Sequence, residues 1–324
     1  MSQIVISEFF VTRNLVLIDD VKNIYSESKY IKAFCRNKKA FPFLKNIIKK
    51  WLPVHFKWIS SHCQDIEFLR KNENKINYKE LSKNTCVNYI LDILERHLDE
   101  LDWNELSKNT SAVHLLKKYR KRICWSRACD NTSTEMIDFL SLPKNFPKIV
   151  WSILSCNPSA INLLKKHLNM IDKTGLNLNP KGFEILKDHS EMINFAVLCN
   201  NQSKEAMEII EKNINHPSIS FELLSSNSYA IDILKKHKDK IDWYMTIDNE
   251  NIGELFKAFP DKISSLIIKY VVKYPSVIPY LKDYIYDISY IKLAENPGIF
   301  TVDENDYNLR LKSVQNIISN KFRI

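Results

Sequence analysis

The chain has 324 residues, of which 45% are hydrophobic and 26% charged, and its formal net charge is +9. These values describe a globular rather than a disordered protein. It contains only 4 glycines, whereas average usage of about 7% would give roughly 23. Gly-rich phosphate loops, dinucleotide-binding turns, nucleophile elbows and hairpin-rich β folds all need glycine, so the composition disfavours these classes and favours a mainly helical protein.

The start of the chain and its cysteines predict an intracellular protein. The N-terminal sequence MSQIVISEFF lacks the basic region of a signal peptide, and no stretch has the 18 or more apolar residues of a membrane helix. The 7 cysteines are scattered and include no CxxC pair. We therefore expect neither a disulfide framework nor a zinc site, and no membrane partner.

A repeated pattern runs along most of the chain. The segments WNELSKNTSAVHLLKKYRKRIC, WSILSCNPSAINLLKKHLNMID and FELLSSNSYAIDILKKHKDKID, which start at Trp103, Trp151 and Phe221, align with small variations. Each contains an aromatic residue, Leu-Ser, Asn and an apolar stretch that ends in two lysines. We call the Leu of Leu-Ser the anchor of its repeat. Twelve anchors follow at steps of 22, 25 or 26 residues: Phe34, Ile59, Leu81, Leu106, Ala128, Leu154, Leu176, Leu198, Leu224, Thr246, Val271 and Leu293.

Each repeat predicts two short helices joined by a turn. Asn stands three residues after the anchor in ten of the twelve repeats, with His62 and Tyr274 as the exceptions. Asn in this position is typical of a helix N-cap, because its side chain accepts a hydrogen bond from a free N–H of the first turn. The Ala-Ile and Leu-Leu pairs that follow make one apolar stripe. Such a unit cannot close a core alone.

The predicted fold is all-α, an α-solenoid of about twelve short helix-turn-helix repeats of 22–26 residues that bury their apolar stripes on one another. The longer steps predict about one added helical turn. Residues 1–30 are predicted as an N-terminal cap, 31–303 as the repeat array and 304–324 as a C-terminal cap. Gly182 and Gly253 fall inside predicted helices and indicate a bend or a specialised face.

Histidine and cysteine, which often serve as catalytic residues, recur at fixed positions within the repeat. His167, His189 and His237 occupy one slot, thirteen residues after the anchor, which favours a structural role at a helix end. Cys129 and Cys199, like Cys35, stand in the slot directly after the anchor, which Ser holds in five other repeats and which requires a small residue. No metal-ligand spacing and no nucleophile–base set is present. We therefore expect no enzyme, with no catalytic residue, cofactor, metal or small-molecule substrate.

A basic side chain recurs eleven residues after the anchor, and stacked repeats would align these side chains. One interpretation is a solvated helix face, because Lys is a good helix former and suits helix C-termini. The other is a ridge that binds the phosphates of RNA or DNA, or an acidic protein segment. We call these residues the lysine ridge: Lys45, Arg70, Lys117, Lys165, Lys187, Lys235, Lys257 and Lys282.

The string LSxNPxAIxLL, nearly intact between Leu154 and Leu164, resembles a short helical repeat found in many copies in proteins of giant DNA viruses. The resemblance covers about residues 30–303. It implies a helical interaction scaffold and carries no catalytic residues. The leading hypothesis is therefore a non-enzymatic scaffold with protein partners, acting in the host cytoplasm or in a virion. The alternative is an RNA- or DNA-binding solenoid that uses the lysine ridge.

Overall fold

The computed structural model describes residues 53–284, with the backbone alone at 53, 54 and 282, together with residues 288, 292, 293 and 296. Over these residues the chain forms helices and turns and no strand, which confirms the all-α prediction. The predicted caps 1–30 and 304–324 and the repeat anchored at Phe34 lie outside the described residues.

Short α-helices alternate with single 3₁₀ turns. In each repeat the helix before the Asn is called the A helix and the helix after it the B helix. The A helices are α1 (Pro53–Ile59), α3 (Tyr78–Leu81), α5 (Trp103–Lys108), α7 (Trp125–Cys129), α9 (Trp151–Leu154), α11 (Lys173–Leu178), α13 (Phe195–Leu198), α15 (Phe221–Ser226), the 3₁₀ helix Met245–Asp248 and α18 (Ser265–Val271). The B helices are α2 (Ile66–Lys71), α4 (Leu91–Leu94), α6 (Val113–Lys118), α8 (Thr134–Leu140), α10 (Ile161–Lys166), α12 (Phe183–Leu186), α14 (Lys204–Lys212), α16 (Ile231–Lys236), α17 (Ile252–Ala258) and the 3₁₀ helix Pro275–Tyr284.

The structure divides after Ala258. Leu52–Ala258 form one compact body, and the described residues from Phe259 onward belong to a second. The first body contains the repeats anchored from Ile59 to Thr246. The second contains the anchors Val271 and Leu293.

Side-chain caps set where the helices begin. In most repeats of the first body the residue four before the anchor caps the A helix, as Asp102 does by accepting from the backbone N–H groups of Asn104 and Glu105. At this position Cys124 and Val150 make no such bond. The Asn three residues after the anchor caps the turn that follows the A helix and not the B helix itself, except at Asn201, whose Oδ1 accepts from the Ser203 hydroxyl group. Asn109 Oδ1 accepts from Ser111 N at 3.0 Å, and α6 begins only after the turn Thr110–Ala112.

The apolar stripe predicted for each repeat forms the core. Leu154, Ala160 and Leu164 are 0% exposed, and Ile161 is 5% exposed. Burying one such Leu or Ile side chain stabilises the fold by about 1.5–3 kcal/mol. Neighbouring A helices pack side by side, which gives each repeat the partner that its stripe requires: α5 with α7, α7 with α9, α9 with α11, α11 with α13, and α15 with Met245–Asp248.

The extra residues of the longer repeats are accommodated in two ways. In the repeat anchored at Leu198, α14 extends to 9 residues, which fits the expected added turn. In the repeat anchored at Leu81, a 3₁₀ turn at Val87–Tyr89 precedes a B helix of only 4 residues. A short turn therefore replaces the predicted helix extension there.

Glycine is used for close packing and not for left-handed backbone. Within the described part of the chain no residue has a positive φ, and the backbone beside the N-terminus of α12 is helical at Gly182, with φ −56° and ψ −28°. At Gly175 a Cβ would lie 2.8 Å from the carbonyl oxygen of Ser152 and 2.9 Å from Cβ of Ser155. Gly175 therefore allows α11 to approach α9 closely.

Gly175→Ala is expected to lower the free energy of unfolding by about 1–3 kcal/mol, because overpacking against a backbone oxygen outweighs the better helix propensity of Ala. Urea unfolding followed by circular dichroism measures the change. Thr174→Ala, at the neighbouring exposed position of α11, is the control and should stay within about 0.5 kcal/mol of the wild type. Equal stability of Gly175→Ala and wild type would contradict the close contact.

Candidate functional site

Asparagine side chains join each repeat to the preceding one. Asn157 Nδ2 donates to the carbonyl oxygens of Cys129 and Asn131, both at 2.9 Å, while its Oδ1 accepts from Ser159 N at 2.9 Å. The paired donations recur at 2.7–3.1 Å from residues that we call the ladder asparagines: Asn84, Asn109, Asn131, Asn157, Asn179, Asn201, Asn227 and Asn249 in the first body, and Asn296 in the second.

The ladder asparagines are buried, with exposed fractions between 0% and 8%. Capping alone would accept Ser, Thr or Asp as readily as Asn. Only Asn, among the residues preferred at N-caps, combines one acceptor for the cap with two N–H donors for two carbonyl groups. The near invariance of Asn along this single chain was therefore a signal of the ladder, which the capping interpretation missed.

The serine slot, directly after the anchor, is a second joint between helices. Ser107 Oγ donates to the carbonyl oxygen of Trp103 at 2.6 Å and accepts from Cys124 N, at the start of the next A helix, at 2.9 Å. Ser107 is buried, which agrees with the small residue that the sequence predicts for a tight contact. The hydroxyl group also makes two hydrogen bonds, which small size alone does not explain. The same pair of bonds is made by Ser60, Ser82 and Ser225.

Cysteine replaces serine in this joint in two described repeats. Cys129 Sγ accepts from Val150 N at 3.3 Å, and Cys199 Sγ donates to the carbonyl oxygen of Phe195 at 3.2 Å. Burial raises the pKa of both thiols, which disfavours the thiolate that a reactive cysteine requires. These contacts support a structural role. Cys35 lies outside the described residues.

The histidine slot packs against aromatic rings. The His167 ring centroid lies 5.7 Å from that of Trp151, and the His237 centroid lies 5.4 Å from that of Phe221. In both cases the aromatic residue stands three residues before the anchor of the same repeat. The repeat pattern predicts these histidines at helix ends and does not predict their contact with the aromatic rings. His189 Nδ1 instead lies 3.3 Å from the Glu191 carboxylate.

The lysine ridge is bordered by carboxylates of the following repeat. Arg70 binds Asp92 through two hydrogen bonds of 2.8 Å. The hydrogen bonds from Arg70 lower the pKa of Asp92, and the hydrogen bond from Lys165 lowers that of Glu184. The lysine pairs are Lys117 with Glu135 at 2.5 Å, Lys165 with Glu184 at 2.5 Å and Lys235 with Glu254 at 3.4 Å.

The remaining ridge residues differ from this pattern. Lys187 and Lys257 are exposed, and within the described residues they form no ion pair. Lys45 and the side chain of Lys282 lie outside the described residues. The structure therefore places four of the six described ridge side chains beside a carboxylate, and the resulting surface alternates in sign.

An open cavity of about 380 Å³ lies beside the start of α5. Its lining combines acidic side chains with one lysine and one tryptophan and contains no nucleophile paired with a base. The lining residues are Lys79, Asp99, Glu100, Leu101, Asp102, Trp103 and Asn104. Over the described residues, no group of three or more His, Cys, Asp or Glu side chains is placed to hold a metal ion. No helix in that part of the chain is long and apolar enough to cross a bilayer.

No protein-family model matches the sequence, and neither a curated protein nor a solved structure matches it. The likeness to the giant-virus repeat stays a prediction.

Ser107→Ala is expected to lower the free energy of unfolding by about 1–2 kcal/mol, because it leaves the backbone N–H of Cys124 without its acceptor. Ser107→Cys should cost less, since sulfur fills this slot at Cys129. Chemical denaturation measures both changes. Ser152→Ala, an exposed serine of an A helix, is the control. If Ser107→Ala and Ser152→Ala have equal effects, the slot requires only a small side chain.

Proposed function

We propose that the chain is a non-enzymatic α-solenoid that acts as a scaffold for protein–protein interaction. The observation that carries the proposal is the ladder, in which seven successive bonds link Asn84 to Asn249 through every intervening repeat. Repeats that contact their neighbours in this way form quasi-one-dimensional stacks, whose long surfaces suit extended partners. The step from this architecture to binding is an analogy.

The polar groups of the fold support a structural role over a catalytic one. No buried side-chain nitrogen or oxygen atom of the described residues lacks a hydrogen-bond partner. The ladder amides and the hydroxyls of the serine slot are occupied by backbone groups, and burial disfavours ionisation of Cys129 and Cys199. Catalysis requires a nucleophile or a base within reach of a substrate, and the ladder, the serine slot and these two cysteines place their polar groups in structural contacts instead.

The ion pairs of the lysine ridge favour a protein partner over nucleic acid. A phosphate that approached Lys165 would compete with Glu184, whose carboxylate already lies 2.5 Å from the ammonium group. Each such carboxylate also repels the phosphate. The proposed origin in a giant DNA virus, and action in the host cytoplasm or a virion, rest on the sequence resemblance alone.

Affinity capture with the intact chain, from the cells that produce it, tests this function. We expect the same protein partners in repeated captures after nuclease treatment. As a matched measurement, single-stranded RNA and duplex DNA should bind with a Kd no tighter than about 10⁻⁶ M at physiological salt. Lys165→Gln combined with Lys187→Gln should change this value by less than about twofold, because non-specific binding spreads over many cations.

The nucleic-acid alternative predicts different results. It requires tight binding that weakens steeply as salt rises and that the paired lysine substitutions abolish. Capture that yields nucleic acid and loses every protein on nuclease treatment would likewise contradict the scaffold function.

A further inference from the structure

The outward surface of the A helices changes character along the first body. We call the positions two and one residues before the anchor, and two after it, the A face. In the four repeats anchored from Ile59 to Ala128, eight of the twelve A-face residues are charged. One pair of them bridges neighbouring helices, Lys108 with Asp130 at 2.7 Å. In the five repeats between Trp151 and Asp248, only two of fifteen are charged, Glu222 and Asp248.

Uncharged groups, part of them apolar, replace the lost charges. Tyr244 is 77% exposed and Leu178 is 39% exposed. Three apolar residues that directly precede their anchors are half-buried: Ile153, Val197 and Leu223. The charged half shows that the repeat itself does not require an uncharged A face. Between Trp151 and Asp248 the other exposed uncharged residues of the A face are small or polar, and depletion of charged residues is typical of the core of a protein interface. Because the described part of the chain contains no strand, this face offers no strand edge, and the occupant must be recognised by side-chain packing.

The order of the residues along this face points to its occupant. We propose that residues 151–248 bind the same face of a second copy of the chain, through a two-fold axis that runs parallel to α13. Such an axis places α13 against its own copy, α11 against α15, and α9 against Met245–Asp248. The inference goes beyond the scaffold function, since a scaffold can be monomeric.

This pairing is complementary in charge and in size. It places the exposed Lys173, at the edge of α11, close to the exposed Glu222 of the other copy. It places Tyr244 opposite Ser152, and Leu178 opposite Ser226, so that each large side chain meets a small one. A two-fold axis along the row of helices would instead pack each helix antiparallel to its own copy, which sets Lys173 near Leu178 and Glu222 near Ser226 and leaves both charges without an opposite charge. The first arrangement is therefore favoured.

The size of the face predicts a weak dimer. The five helices have four to six residues and are therefore about 6–9 Å long, and at a spacing of about 8–10 Å they cover roughly 300 Å² of each partner. Stable dimers bury about 800 Å² per partner. We therefore expect a dissociation constant of the order of 10 μM, in the range of a transient complex.

Substitutions at the two-fold axis test the proposal. Ala196 is exposed on α13 and faces its own copy, so Ala196→Glu and Ala196→Lys each place like charges together. Each variant alone should dimerise at least about tenfold more weakly, a cost of about 1.4 kcal/mol. A mixture of the two variants should restore dimers, because unlike charges then meet. Sedimentation velocity of the full chain measures association, and circular dichroism verifies folding.

The matched control uses the same position in the charged half of the A face. Asn104→Glu and Asn104→Lys should leave association unchanged. Exchange of the outer charges, Lys173→Glu with Glu222→Lys, should restore dimers that either substitution weakens. A full chain that remains monomeric at about 100 μM, well above the expected dissociation constant, overturns the dimer, as does a dimer insensitive to both Ala196 substitutions. Neither result bears on capture of other protein partners, which tests the scaffold function separately.

Discussion

The hydrogen bonds from each ladder amide to two buried carbonyl groups are the interaction on which the structure depends. A helix leaves its last four carbonyl groups without intrahelical partners, and A helices of four to seven residues consist largely of such groups. The amide of the next repeat supplies the missing donors, as Asn157 does for Cys129 and Asn131. The end of one repeat is therefore completed by the beginning of another.

This dependence explains why helices so short are stable and why the repeats vary in length. An isolated helix of four to nine residues is unstable in water, because nucleation costs more than a few hydrogen bonds return. In this chain, packing between repeats and the hydrogen bonds of the ladder supply the stabilisation that the short helices lack. Residues between a ladder asparagine and the next A helix make none of the ladder hydrogen bonds, so the chain accommodates the 3₁₀ turn at Val87–Tyr89 or a longer α14 without breaking the ladder.

Periodicity predicts what each residue does within its own repeat and little of what it contacts in the next. The cap at Asn109 and the buried stripe around Leu164 follow from local rules of helix formation. The second role of Asn109, as donor to the preceding repeat, requires the distance between repeats. The same applies to the lysine ridge, where the alignment of Lys165 with Glu184 depends on how adjacent B helices pack. Sequence spacing suggests a ridge but does not reveal its counter-charges.

Asn157→Asp tests the ladder most directly, because Asp is as good an N-cap as Asn but cannot donate to two carbonyl groups when ionised. The carbonyl groups of Cys129 and Asn131 would raise the pKa of the new carboxyl group, since both repel its charge. Measured by urea unfolding as a difference from wild type, the variant should lose about 3 kcal/mol at neutral pH. The loss should shrink as pH falls through the raised pKa, because the protonated acid donates one bond. Wild-type stability of Asn157→Asp at neutral pH would show that the asparagines serve as caps alone and would contradict the ladder.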